Sequence, residues 1–295
     1  MFSAYSSHTV DLGPVRLHLR SGGSGPVLLL LHGHPQSHVM WHRVADTLAR
    51  HFTVVAMDLP GYGDSSRPPA DEAHENHSKR RMAAQVHAAM CRLGWPRYDV
   101  CAHDRGARVA HRLAMDTPDA VRRLMLLDIA PTLAMYEGTG EDFARSYWHW
   151  FFLVQPAPLP ERLIEADPVF YLRSVIGRRH AGLAAFDAVA LAEYERCIAV
   201  PGSATSICED YRASAAIDLV HDREDVAQGR RLEQPLRVLW GAQGVVARCF
   251  DVMSLWRERA AMVSGRSLDG GHYIAEEQPD ALVKEMLEFF VQGVK

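Results

Sequence analysis

The chain has 295 residues, 48% of them hydrophobic, with a formal net charge of -4 and five cysteines. Its length suits one large α/β domain or a core carrying an insertion, and so small a charge gives no electrostatic basis for a nucleic-acid or anionic-membrane partner. No apolar run approaches the ~20 residues of a membrane span, MFSAYSSHTVDLG lacks the regions of a secretory signal, and an odd set of cysteines without a CxxC predicts reduced thiols in a cytoplasm.

In chain order, residues 27–31 (VLLLL) predict a buried strand, residues 39–50 a helix and residues 52–57 (FTVVAM) a second strand. Histidines crowd HGHPQSH between them, but no neighbouring carboxylate or cysteine completes a ligand set, so no metal is expected. The tracts around His74, His77 and His87 read as solvated. A third strand is expected at 98–102, an amphipathic helix at 106–115 and a fourth strand at 124–127. The pattern stops between Ala130 and about Ile217. It resumes with a strand at 236–240, a helix near 250–262, a short strand at 266–268 and a last helix from Pro279.

Continuous apolar runs alternating with helices indicate a mostly parallel sheet covered on both faces, an α/β fold. The interruption, with FARSYWHWFFLV and ALAEYERC, reads as an all-helical insertion. The expected division is therefore a core of 1–130 and 218–295 with a helical cap of 131–217. Ligands in such sheets bind outside the strand carboxyl ends, so an insertion launched there would roof the site.

Asp104 stands at the third of these strand ends, in VCAHDRGARVA. Ala102 and Gly106 flank it with little bulk, the pattern of a nucleophile elbow with Asp in place of Ser. A carboxylate at a helix N-terminus is held ionised by the dipole. Arg105 and Arg108 stand in the same turn against that field, which calls for an anion to meet them. Taken alone, DRGAR is better explained as a helix cap with surface ion pairs. His32-Gly33-His34-Pro35 ends the first strand, where backbone N–H groups of His34 and Arg105 could hold an oxyanion. His272, in LDGGHYIAEEQP, completes the order nucleophile, acid, histidine. No carboxylate follows LRVLWG closely, so Asp128, ending RRLMLLD, is the expected partner of His272, with Asp251 a weaker second.

HGHPQ, DLPGYGDSSRP, HDRGAR, LLDIAPT, YWHWFF, CEDYRA, WGAQGVV and GGHYIAEEQP together resemble the fluoroacetate dehalogenase group of the α/β-hydrolase superfamily, over nearly the whole chain. The resemblance implies an α/β-hydrolase core with a cap, and hydrolysis of 2-haloacids without a cofactor. It implies that Arg105 and Arg108 hold the substrate carboxylate, and that His149, Trp150 and Tyr211 hold the halide. It departs from the family at His34, where Phe is usual after HG. The family tends to form homodimers, and nothing in the residues fixes that state here.

The chemistry suits these residue types. Asp104 would displace halide from carbon and form an ester; His272, oriented by Asp128, would activate water to cleave it. The arginines offset repulsion between two anions. Two rivals share parts of this pattern: a soluble epoxide hydrolase, which uses two cap tyrosines and needs no carboxylate clamp, and a catalytically silent ligand binder on the same fold.

Overall fold

The computed structural model describes residues 1–291. Eight strands form one sheet: β1 (Ser6–Asp11), β2 (Arg16–Gly23), β3 (Val27–Leu31), β4 (Thr53–Met57), β5 (Tyr98–His103), β6 (Val121–Leu127), β7 (Leu236–Gly241) and β8 (Val263–Leu268). Their spatial order is β1-β2-β4-β3-β5-β6-β7-β8. The first two run antiparallel to their neighbours, and every pairing from β4 to β8 is parallel.

The reason for the central strands is plain in their composition. Leu28 to Leu31 are wholly buried, as is almost all of β5, so both faces of the sheet are packed and alternation disappears. Each such leucine contributes roughly 1.5–3 kcal/mol by leaving water. The chain adds β4 on one side of β3, then crosses to lay β5 on the other. Strand order reverses between β3 and β5, and a crevice opens above their carboxyl ends. His32 to His34 follow β3 and Asp104 follows β5, so both lie at that switch point.

Between β6 and β7 the described chain is helical, with eight α-helices running from Thr132–Glu137 to Ile217–Ala227. No helix of the described residues is long and apolar enough to cross a membrane.

Three elements differ from expectation. Residues 39–50 do not form one helix: a 3-10 turn, His38–Trp41, is followed by the short helix Ala45–Leu48. Asp58 accepts both the backbone N–H and the Nδ1–H of His38, which pins the turn and prevents a regular start. The β1–β2 hairpin went unread because β1 buries only Val10. The tract around His77 is not solvated, since His77 is buried and a helix, Lys79–Arg92, begins just beyond it.

Candidate active site

β5 ends in His103 and the helix Asp104–Asp116 starts at once, which forces Asp104 into the left-handed region with φ of 44°. Such a residue carries strain of about 1–3 kcal/mol and persists only where its surroundings hold it. Here glycines make the close approach. A Cβ on Gly106 would lie 2.3 Å from the His32 carbonyl oxygen, and one on Gly33 would lie 2.5 Å from the Asp104 Cβ. The backbone N–H of His34 donates to Asp104 Oδ2 at 3.0 Å. Burial alone would raise the Asp104 pKa, but His272, His103, Arg105 and Arg108 hold it below the usual carboxylate range. Asp104 is an ionised carboxylate pressed against a backbone donor.

β6 ends in Asp128, also left-handed at φ 51°. His272 Nδ1 donates to Asp128 Oδ2 at 2.5 Å, and Asp128 Oδ1 accepts the Gly241 N–H at 3.0 Å. With Nδ1 occupied, Nε2 is the nitrogen left to exchange protons. Asp251 is exposed and caps the helix Val252–Arg259, accepting the Ser254 N–H at 3.0 Å, so it does not meet His272. His103, which sequence reasoning passed over, meets the His272 carbonyl at 2.9 Å through Nε2, and the two rings lie 4.6 Å apart. Burial pulls the His103 pKa down to about 3, so it stands neutral beside His272.

The two arginines differ. Arg105 is already paired: its Nε donates to Asp210 Oδ2 at 2.9 Å and its Nη2 to Asp210 Oδ1 at 2.7 Å, with Ser214 Oγ at 2.6 Å. Only Nη1 is left without a partner among the described residues. Arg108 has no acidic partner among them. It donates to Thr132 Oγ1 at 2.8 Å and to the Ala130 carbonyl at 3.4 Å, and its buried Nε is unpartnered. Arg108 is thus a buried cation without an acid among the described residues, whereas Arg105 shares Asp210.

The partner of Arg105 is what sequence reasoning missed. Asp210 also accepts the Tyr62 O–H at 2.6 Å and pairs with Lys79, which in turn lies 3.4 Å from Asp218. Its only local signal was an acid beside Tyr211 in CEDYRA.

Above these groups, the helices Trp148–Leu153 and Ser203–Ala215 bring in His149, Trp150 and Tyr211. The Tyr211 ring lies 5.9 Å from His149 and 6.3 Å from Trp150. Arg105 covers Tyr211 at 4.1 Å, and Arg108 covers Trp150 at 4.8 Å. The Trp150 Nε1–H and Tyr211 O–H are buried with no acceptor among the described residues. Each unmade bond of this kind costs about 1–3 kcal/mol. Two of them beside two unpartnered guanidinium N–H groups make a constellation of donors, which plain aromatic packing does not require. Burial, reinforced by Arg179 and His34, keeps His149 neutral.

His34 reaches this space with its side chain as well. Its Nε2 lies 3.2 Å from the Tyr171 hydroxyl, and its ring stacks 6.1 Å from His149. Burial brings its pKa down to about 3, so it adds polarity without charge.

The histidine tract does have a neighbouring carboxylate, Asp58, which the fold rather than the sequence brings beside it. His32 Nε2 accepts the Leu59 N–H at 3.0 Å. His18, His38 and Asp58 converge within 4.8 Å, the one such group of metal-capable side chains among the described residues. Asp58 Oδ1 is committed to His38 and Oδ2 to the Asp64 N–H at 3.0 Å, so the acid anchors two loops.

Residues 26–243 match the model of the alpha/beta hydrolase fold family. A fluoroacetate dehalogenase from Burkholderia sp is 42% identical over 98% of this chain and 95% of its own. A soluble epoxide hydrolase from Corynebacterium sp. (strain C12) is 33% identical over 98% and 99%. A crystal structure of a proposed alpha/beta hydrolase from Nostoc sp PCC 7120 superposes with a TM-score of 0.97 at 49% identity, covering 99% of this chain and 100% of that one.

Proposed function

Because the chain belongs to the α/β-hydrolase superfamily, in its haloacetate dehalogenase group, we propose that it hydrolyses short 2-haloacids such as fluoroacetate and chloroacetate to glycolate and halide. The observation that carries this reading is Arg108, a buried cation beside Asp104 with no acidic partner among the described residues. A substrate carboxylate supplies the missing charge. Arg105 contributes its remaining Nη1–H, and its pairing with Asp210 keeps that donor aimed.

With the carboxylate so held, the halide-bearing carbon faces Asp104. An Asp104 oxygen attacks that carbon, the carbon–halogen electron pair leaves with the halide, and an ester forms. Fluoride needs hydrogen bonds as it departs, and the imidazole of His149, the indole of Trp150 and the phenol of Tyr211 offer them. His272 then takes a proton from water through Nε2, with Asp128 stabilising the imidazolium. Hydroxide attacks the Asp104 carboxyl carbon. The N–H groups of His34 and Arg105 receive the charge on its oxygen, glycolate leaves with the proton from His272, and Asp104 is restored. The sequence needs neither metal nor cofactor. In this reading residues 131–217 act as a cap on a core of 1–130 and 218–295, the reduced thiols suit a cytoplasmic enzyme, and it is homodimeric, as its group tends to be.

The epoxide hydrolase relative keeps a second reading in view, and Tyr211 is a free cap hydroxyl that could serve it. Against it, an epoxide brings no anion for Arg108. Ion-selective halide measurement on fluoroacetate, chloroacetate and 2-chloropropionate, beside a racemic styrene oxide assay, tests both. Diol formation without halide release would reject the dehalogenase.

A further inference from the structure

A cavity of about 510 Å³ has His149 and His272 in its wall, two groups of the site around Asp104. That volume falls in the range that holds a drug-sized ligand, whereas a haloacetate has five non-hydrogen atoms. The cavity is larger than such a substrate needs, and Asp104, Arg105 and Arg108 are not in its wall. Its walls are one-sided in charge: Arg178, Arg179 and His180 follow one another along it, and no Asp or Glu is among its described lining residues. At the rim Arg145 and Arg248 are neutralised by Glu141 and Asp142. Arg178 and Arg179 have no acidic partner among the described residues.

Arg179 is the most constrained of these. Its guanidinium lies 4.3 Å from the centre of the Tyr147 ring, and its Nε is buried without a partner among the described residues. Tyr147 also packs 5.4 Å from His149 and 6.2 Å from His272, so the cation is seated on the ring that borders both. Asp104 and Asp128 are close enough to act on its charge.

We infer that this vestibule is an anion-receiving site, in which Arg179, supported by Arg178, takes the carboxylate of an arriving haloacid and passes it inward to Arg108. The inference rests on the dehalogenase reading for the identity of the anion. The geometry supports it by itself for anions in general. An incoming carboxylate meets the fields of Asp104 and Asp128, and Arg179 lies on the vestibule side to offset them together with the cations already beside Asp104. A cation on the Tyr147 face lowers that barrier, and with no acid paired to it among the described residues it is left to meet an arriving anion. Steering of this kind raises the second-order rate constant and weakens with salt.

Two measurements test it. Trp148 lines the vestibule and is half-buried, so its fluorescence, isolated by difference against Trp148→Phe, reports the local concentration of a quencher. Iodide should quench it about threefold less in Arg179→Met than in the wild type, while neutral acrylamide quenches both alike. In turnover of chloroacetate, Arg179→Met should lose about tenfold in kcat/KM at low ionic strength with kcat nearly constant, and its dependence on salt should flatten. Arg179→Lys should recover most of the loss. Equal iodide quenching in the two proteins, or an unchanged salt slope in Arg179→Met, would overturn the inference. Failure of the wild type to release halide from any 2-haloacid would instead reject the functional reading, leaving the quenching result to decide the vestibule.

Discussion

Arg108→Leu and Arg105→Leu should separate binding from stability, because the structure gives the two arginines different partners. Arg108 is buried and lacks an acid, so its removal gives up the hydrogen bonds to Thr132 and Ala130, each worth about 1 kcal/mol. It also removes a buried charge whose desolvation costs several kcal/mol, a cost that the attraction of Asp104 offsets only in part. The two effects offset, and the melting temperature of Arg108→Leu should hold or rise. Its substrate loses a charged hydrogen-bonding partner worth about 1.5–3 kcal/mol, or roughly 10- to 100-fold in KM for chloroacetate. Arg105→Leu leaves Asp210 with only Lys79 and the Tyr62 hydroxyl, and breaking a buried pair costs about 3–5 kcal/mol. At about 2–4 °C per kcal/mol its melting temperature should fall by roughly 6–20 °C. Halide-electrode kinetics and thermal melts on the purified variants read both quantities. An unchanged KM in Arg108→Leu together with a collapsed melting temperature would refute the assignment of Arg108 to substrate.

Trp150→Phe and Tyr211→Phe should lose defluorination more than dechlorination, since fluoride concentrates more charge as it leaves; equal losses on fluoroacetate and chloroacetate would count against these donors. His272→Asn should release about one halide per active site and stall as a glycolyl ester on Asp104, visible as a mass increase on the peptide that contains it; an adduct elsewhere would overturn the mechanism. The pKa of Asp104 lies below its ordinary value, so its ionised form contributes stability above the unfolded value of about 3.9 and loses that contribution only as pH falls through the lower folded value. With Arg105, Arg108 and the His34 N–H still in place, the halide burst of His272→Asn should therefore stay flat from pH 8 to about pH 5, and a tenfold slowing across that window would show that Asp104 is being protonated. His34→Phe should retain turnover of the ester within about tenfold because the donor to Asp104 is a backbone N–H, while its ratio of fluoroacetate to chloroacetate activity changes; loss of ester hydrolysis alone would implicate the imidazole.

The parts of this molecule that were legible in the sequence are those that leave a local trace. Strands β3 and β5 are buried on both faces and so appear as unbroken apolar runs. Asp104 is flanked by Ala102 and Gly106, and the elbow needs that lack of bulk. Asp128 was found by chain order and strand end, and its contact with His272 spans 144 positions that no periodicity reveals. The hairpin of β1 and β2 lies at the sheet edge, where one buried residue in β1 gives no alternation to read. The helix Lys79–Arg92 opens with three basic residues, and its buried face of Met82, Ala83, Val86, Ala89 and Met90 emerges only at helical spacing. Asp210 was invisible for a stronger reason: its meaning lies in Arg105, which is 105 residues away in the chain.

That pairing also explains how one site can be built from two parts of the chain. Arg105 belongs to the helix turn that starts at Asp104, while Asp210 and Tyr211 are neighbours on the helix Ser203–Ala215. Fixing Asp210 to Arg105, Lys79 and Tyr62 fixes Tyr211 beside Arg105, where the guanidinium covers its ring. In the proposed reaction the buried ion pair thus sets the position of Tyr211 relative to Asp104, to within the tolerance of hydrogen bonds shorter than 3 Å. A hydrophobic contact of equal area would hold the two elements together but let them slide, and a carbon–fluorine bond gives no credit to a donor that is an ångström out of place. On this argument the cost of burying Asp210, Lys79 and Arg105 together is the cost of alignment, and it falls on three residues that never touch the reacting carbon.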